Sequence, residues 1–260
     1  MEKFFTLEKS SDTFSYFFSK QHFLILLISL VLIIFFSMYI SRQRLRSQKI
    51  AVIIFSSLLI IFECLKILWR YKFLQFNNED LSFQNITNID FFILSLWLSI
   101  PICFYYAIAK KKEDHDCKTL YFVFSIATLF SIITLVYPNN INTNFDFYHC
   151  YNLMYIFEHS IVVILGIVFA SSRWISTKKF LDLGKALSCN ILFLTLAYLL
   201  GHFVFFGTNT FYVEYSYVFD YIGIHIGFPL HYIIMCFFIF LFQIFLFLPF
   251  NLSQNKKSRR

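Results

Sequence analysis

Apolar and polar positions alternate along the chain in long blocks, not at the short periods of soluble helices or strands. Seven apolar blocks can be drawn: Gln21–Ile40, Ile50–Trp69, Phe91–Ala109, Thr119–Tyr137, Tyr151–Ala170, Asp182–Phe206 and Leu230–Phe250. Each is near the roughly 20 residues that an α-helix needs to cross a bilayer. In lipid only helices or closed barrels satisfy the backbone, and blocks of this length predict helices. The expected fold is therefore all-α, a polytopic membrane bundle of seven transmembrane helices.

Composition agrees with that pattern. Of 260 residues, 58% are hydrophobic, 22% aromatic and only 14% charged. Soluble domains carry nearer a quarter charged residues, so the deficit points to a membrane class. Six cysteines (Cys64, Cys103, Cys117, Cys150, Cys189 and Cys236) form no CxxC pair and read as small packing residues. No cofactor and no metal site is expected.

A net charge of +7 raises the question of nucleic acid. Its distribution argues for membrane orientation instead, and no nucleic-acid partner is expected. Sixteen cations surround the loops after the first, third and fifth blocks or lie in the tail, from Arg42 through Lys112 and Lys185, at the start of the sixth block, to Arg260. Only Lys3, Lys9, Lys20, Arg70 and Lys72 lie on the other side, and Lys66 is left within a span. This bias puts the N-terminus outside and the C-terminus in the cytoplasm of a cell-membrane protein. It divides the chain into an extracellular segment 1–20, a membrane domain 21–250 and a basic cytoplasmic tail 251–260. The polar leader lacks the basic start and short apolar core of a signal peptide, so no cleavage is expected.

Ionisable groups within a span are costly and normally face the bundle interior. Glu63 and Lys66 lie one turn apart in the second span and can neutralise each other. Two readings of them stay open: a helix-locking pair with Lys66 reaching outward, or a carboxylate that orients a histidine. Glu158 and His159 occupy the fifth span, about 100° apart on a helix, and need not act together. Asn190, His202, His231 and Gln243 are further polar positions. In the third span, Ser95, Ser99 and Cys103 repeat at a spacing of four and share one face. At 1.5 Å per residue, Ser99 and His159 both lie roughly 12 Å below the outer surface, with Glu63 at about 9 Å. Nucleophile, base and orienter candidates thus share a layer of the outer leaflet. HExxH, GxSxG and glycine-rich phosphate motifs are absent.

Several ordered pieces resemble a known family. They are YFFSKQHFLILL near the start, Glu63 followed by Trp69, LSLWLS at Leu94–Ser99, EHS at Glu158–Ser160, Asn190, GTN at Gly207–Asn209, and GFPLHY. Their order and spacing resemble YwaF-type bacterial membrane proteins, relatives of animal transmembrane protein 164. The resemblance implies an acyltransferase that moves fatty acyl groups between phospholipids, with a third-span Cys as acyl carrier and a fifth-span His as base. By position the Cys falls on Ser99 and the base on His159. The family's Leu-Pro-Leu-His-Leu-Cys is altered here, with Ser95 for Pro, Trp97 for His and Ser99 for Cys. Serine is essentially un-ionised near neutral pH and depends on an adjacent base, and Cys103 lies one turn deeper as a substitute.

The favoured expectation is a non-enzymatic membrane protein that binds lipid or a small molecule in an outer-leaflet polar cavity, or supports an envelope complex. The alternative is a phospholipid acyltransferase that works through Ser99 or Cys103, with His159 as base and Glu63 as orienter. A small-solute transporter ranks last, because no internal repeat is visible and only Pro101 interrupts a span centrally.

Overall fold

The computed structural model describes residues 19–81, 100–105, 107–108, 118–136, 148–171, 180–199 and 226–258. Among them every regular element is helical: α1 Lys20–Ser41, α2 Leu45–Phe76, α3 Lys118–Val136, α4 Cys150–Ser171, α5 Phe180–Leu199 and α6 Leu230–Ser258. Residues 100–105 and 107–108 are helical as well. Among the described residues, Lys20–Ser41, Leu45–Phe76 and Cys150–Phe169 are long and apolar enough to cross a membrane, with mean hydropathies of 3.0, 2.4 and 1.8. Shorter apolar helices cover Ile126–Val136 and Leu230–Phe245.

The chain divides into two compact units, Met1–Ile89 with Phe130–Leu165, and Asp90–Leu129 with Gly166–Arg260. In the first unit α1 begins with Ser19, whose side chain accepts the His22 backbone N–H at 3.1 Å. That satisfies one of the orphan donors of the first turn. His22, Ile25, Ser29, Ile33, Ser37 and Ile40 are buried. Steps of three and four place them on one narrow stripe. The flanks, including Phe23, Val31 and Phe35, are more than half exposed, as a lipid-facing helix requires.

The basic linker Ser41–Lys49 is shorter as a loop than its polarity implies, because α2 already begins at Leu45. Gln48 is responsible for the tight turn. Its side-chain amide donates to the carbonyls of Ser41 and Gln43, both at 3.1 Å, and so serves the carbonyls at the end of α1. α1 and α2 return antiparallel, with Phe36 and Phe55 edge to face at 5.8 Å. The buried stripe of α2 runs Gln48, Val52, Ser56, Leu59, Glu63, Lys66 and Phe73.

α2 also continues two turns beyond Trp69, where the apolar block ends, and stops at Phe76. Asn78, at φ 54°, takes the left-handed position after the helix. The Glu79 N–H reaches the Leu74 carbonyl at 2.9 Å and the Asn78 N–H reaches that of Gln75 at 3.3 Å. These two bonds are a Schellman closure with Asn in the place usually held by Gly.

α4 is the enclosed helix: 72% of its apolar window is buried, against 28% for α1 and for α2. It runs antiparallel to α2. Phe73 and Leu74 pack on Tyr151 with Trp69 beside them, while Lys66 reaches Tyr155 and Glu158 further along α4. Ile25 and Ile156 pack together with Leu135, Leu153 and Tyr155, and the His22 ring Nε2 donates to the Leu135 carbonyl at 3.0 Å. The start of α1, the end of α2, the end of α3 and the start of α4 therefore share one end of this unit.

In the second unit α5 and α6 are joined by the Tyr232 hydroxyl, 2.8 Å from Thr195 Oγ1 and 3.3 Å from the Ile191 carbonyl. Gly166 of α4 lies against Thr128 of α3 so closely that a Cβ there would overlap the threonine hydroxyl. Small residues at helix crossings of this kind let backbones approach in lipid, where dispersion and not hydrophobicity drives association.

Candidate functional site

The first unit holds a layer of charge inside an otherwise apolar helix seam. Glu63 follows from the stripe of α2, one turn before Lys66, and the Lys66 Nζ donates to Glu63 Oε1 at 2.9 Å. The same ammonium makes an ion pair with Glu158 Oε2 of α4. Lys66 lies 5.6 Å from the centroid of the Tyr155 ring, within cation–π range. Tyr155 in turn meets the ring of His159 edge to face, with centroids 4.3 Å apart. Glu63, Lys66, Glu158 and His159 are all buried, Glu158 and His159 completely.

Lys66 thus turns inward. The outward-reaching lysine expected of a simple helix-locking pair is corrected by the second carboxylate, which pulls the ammonium across the α2–α4 seam. The Glu63–Lys66 pair itself is as the spacing implies. Glu158 and His159 diverge as adjacent helical residues do, Glu158 to Lys66 and His159 to the Tyr155 ring.

At the end of the unit a second histidine, not singled out by sequence, occupies the start of α4. His149 Nδ1 accepts the Tyr151 backbone N–H at 3.2 Å and lies 3.9 Å from Cys150 Sγ. Because a backbone N–H can only donate, this nitrogen is the acceptor and the ring caps the start of the helix. Trp69 packs edge to face on it at 5.3 Å. The sequence signal for His149 was weak: it precedes the fifth apolar block and looks like loop.

Of the remaining candidates, Ser99 lies outside the described residues, as do Ser95, Trp97 and His202. Cys103 is described in the second unit, on a buried face with Ile100 and Ala107, while Tyr105 and Ile108 are two-thirds exposed on the other side. Asn190, His231 and Gln243 are fully buried there. Among the described residues no group of three or more His, Cys, Asp or Glu side chains could hold a metal ion.

A family model described as the TMEM164 family matches residues 17–249. The chain belongs to the TMEM164 family. Membership bears out the resemblance to relatives of transmembrane protein 164 drawn from the ordered pieces between YFFSKQHFLILL and GFPLHY. Together with the apolar helices it marks a membrane protein. The matched range includes every member of the Glu63–Lys66–Glu158 layer of this TMEM164 family chain. No curated protein and no solved structure gives a match.

Proposed function

We propose that the chain is a multi-pass protein of the cell membrane that associates with phospholipid at an outer-leaflet polar site and performs no chemistry of its own. Its seven spans run from an extracellular segment 1–20 through a membrane domain 21–250 to a cytoplasmic tail 251–260. The cation bias of the loops supports that orientation, and the antiparallel α1–α2 and α2–α4 pairs are compatible with it. The observation that carries the lipid reading is the buried Glu63–Lys66–Glu158 layer. Ionisable groups are retained inside spans chiefly where a ligand, ion or substrate is handled. Native mass spectrometry of the purified chain tests it. Bound phospholipid is expected on the wild type, with several-fold lower occupancy in Glu158→Gln. A wild type that carries no lipid refutes the reading.

A second reading is lipid acyl transfer, favoured by membership of the family to whose relatives the ordered sequence pieces gave that activity. In it the Ser99 hydroxyl or Cys103 thiol takes an acyl group from a phospholipid ester. His159 accepts the nucleophile's proton and returns it to the departing lysophospholipid. Lipid profiling of cells carrying Ser99→Ala, Cys103→Ala or His159→Ala decides it. An unchanged acyl distribution in all three, with the protein present, rules it out.

A further inference from the structure

We propose that the Glu63–Lys66–Glu158 layer is a proton-binding site that holds one exchangeable proton, resting on Glu158. The inference stands on charge and geometry within the first unit and holds whether or not the chain transfers acyl groups.

Two carboxylates share one ammonium in a layer where all three side chains are buried. With every group ionised the layer carries one uncompensated negative charge, which a membrane interior penalises strongly. Lys66 is already committed, held by Glu63 on its own helix and by Glu158 across the seam. The remaining ionisable groups do not remove the excess. From α4 they are Tyr151, Tyr155 and His159, with Cys150 and His149 at its start, where the His149 ring accepts the Tyr151 N–H and packs on Trp69, and from α1 His22 lies at the same end of the unit. The part of α3 that belongs to this unit, Phe130–Val136, has no ionisable residue. Of these only a histidine could supply a positive charge. His22 is spent at the Leu135 carbonyl, away from Lys66. His159 is fully buried with its ring against Tyr155, the ring that also faces the Lys66 ammonium. A second cation there would face a like charge in a place of low dielectric.

A proton on a carboxylate removes the excess without a new group. Glu158 is its place because the side chain is fully buried and, among the described residues, its Oε1 meets no hydrogen-bond donor. An anionic oxygen so placed would be both desolvated and unpaired, the costliest state for a carboxylate, whereas the protonated acid is neutral. Oε2 remains available to Lys66 as an acceptor. Uptake or release of this proton at Glu158 changes the charge of the layer by one.

Infrared spectroscopy of the full chain in phosphatidylcholine vesicles at neutral pH tests this. A carboxylic-acid C=O stretch, shifted in deuterated buffer, is expected in the wild type. Glu158→Gln and Glu63→Gln each leave one carboxylate for one ammonium, so both should lose the band. Lys66→Met leaves two carboxylates without a countercharge and should raise it about two-fold. A wild type without the band overturns the proposal, as would a proton on His159 or a bound alkali cation, since either leaves both carboxylates ionised. A band that persists in either glutamine variant overturns it too. The wild-type reading is decisive even if one variant does not fold.

Discussion

Lys66 of α2 reaches across the seam to Glu158 of α4 while it keeps Glu63 of its own helix at 2.9 Å, so one ammonium ties two antiparallel helices. Removal of that ammonium should be far more damaging than its small volume implies. Lys66→Met leaves two buried carboxyl groups without their shared partner, and about 3–5 kcal/mol of stability is expected to go. Replacement of the whole layer, Lys66→Met with Glu63→Gln and Glu158→Gln, should recover most of the loss, because no carboxyl group then has to be held in the seam, whether ionised or forced to take up a proton. Unfolding of the detergent-solubilised protein by denaturant measures both. A triple variant as weak as Lys66→Met would contradict the electrostatic explanation.

How much of this could be read from the chain differs by residue. The Glu63–Lys66 pair was visible, because an i, i+3 spacing on one helix is a local property. Glu158 as the third partner was not, since helix order is decided by packing that no single span encodes. The same limit applied to Tyr155, which joins Lys66 to His159 and has no motif of its own. Helix ends failed for a different reason. Hydropathy marks where lipid stops, and α2 continues through Arg70, Lys72 and Gln75 because its hydrogen bonds need no apolar side chains. The apolar stretches behind α1, α3 and α4 matched their helices to within a residue or two.

Asn78 closes α2 in a left-handed conformation that glycine adopts without a Cβ penalty. Asn78→Gly should therefore raise stability by up to about 1 kcal/mol, and Asn78→Val should lower it by more than that. Both changes touch only the helix end, so a thermal-unfolding comparison reads the backbone effect directly. Equal midpoints for Gly and Val would show that the Schellman turn does not form in the membrane-embedded protein.

The Tyr232 hydroxyl bridges α6 to Thr195 and to the Ile191 carbonyl of α5. Tyr232→Phe keeps the ring and removes only the bridge, with an expected cost of about 0.6–1 kcal/mol, as interhelical hydrogen bonds in membranes typically give. Thr195→Val should cost a similar amount. In the double variant the two losses should not add, since they remove the same bond. Full additivity in a denaturant series would separate the two residues.

Gly166 sets how closely α4 approaches α3. On helix propensity alone, Gly166→Ala should stabilise α4 by about 1 kcal/mol. The surroundings reverse the sign. An added Cβ would overlap the Thr128 hydroxyl and come within 3.0 Å of its Cβ and Cγ2, and Thr128 is only 1% exposed, so it cannot swing out to the surface. Overpacking of this kind costs about 1–3 kcal/mol, and a net loss of up to about 2 kcal/mol is expected after the propensity gain. The remedy lies on the other helix. Among the described residues the Thr128 hydroxyl has no hydrogen-bond partner, so Thr128→Ala forfeits little polar interaction and opens the space that the new Cβ needs. Combined with Gly166→Ala it should restore stability to the wild-type value or above, a coupling opposite in sign to the Gly166→Ala loss. A double variant no better than Gly166→Ala would mean that α3 and α4 can part at this point without cost.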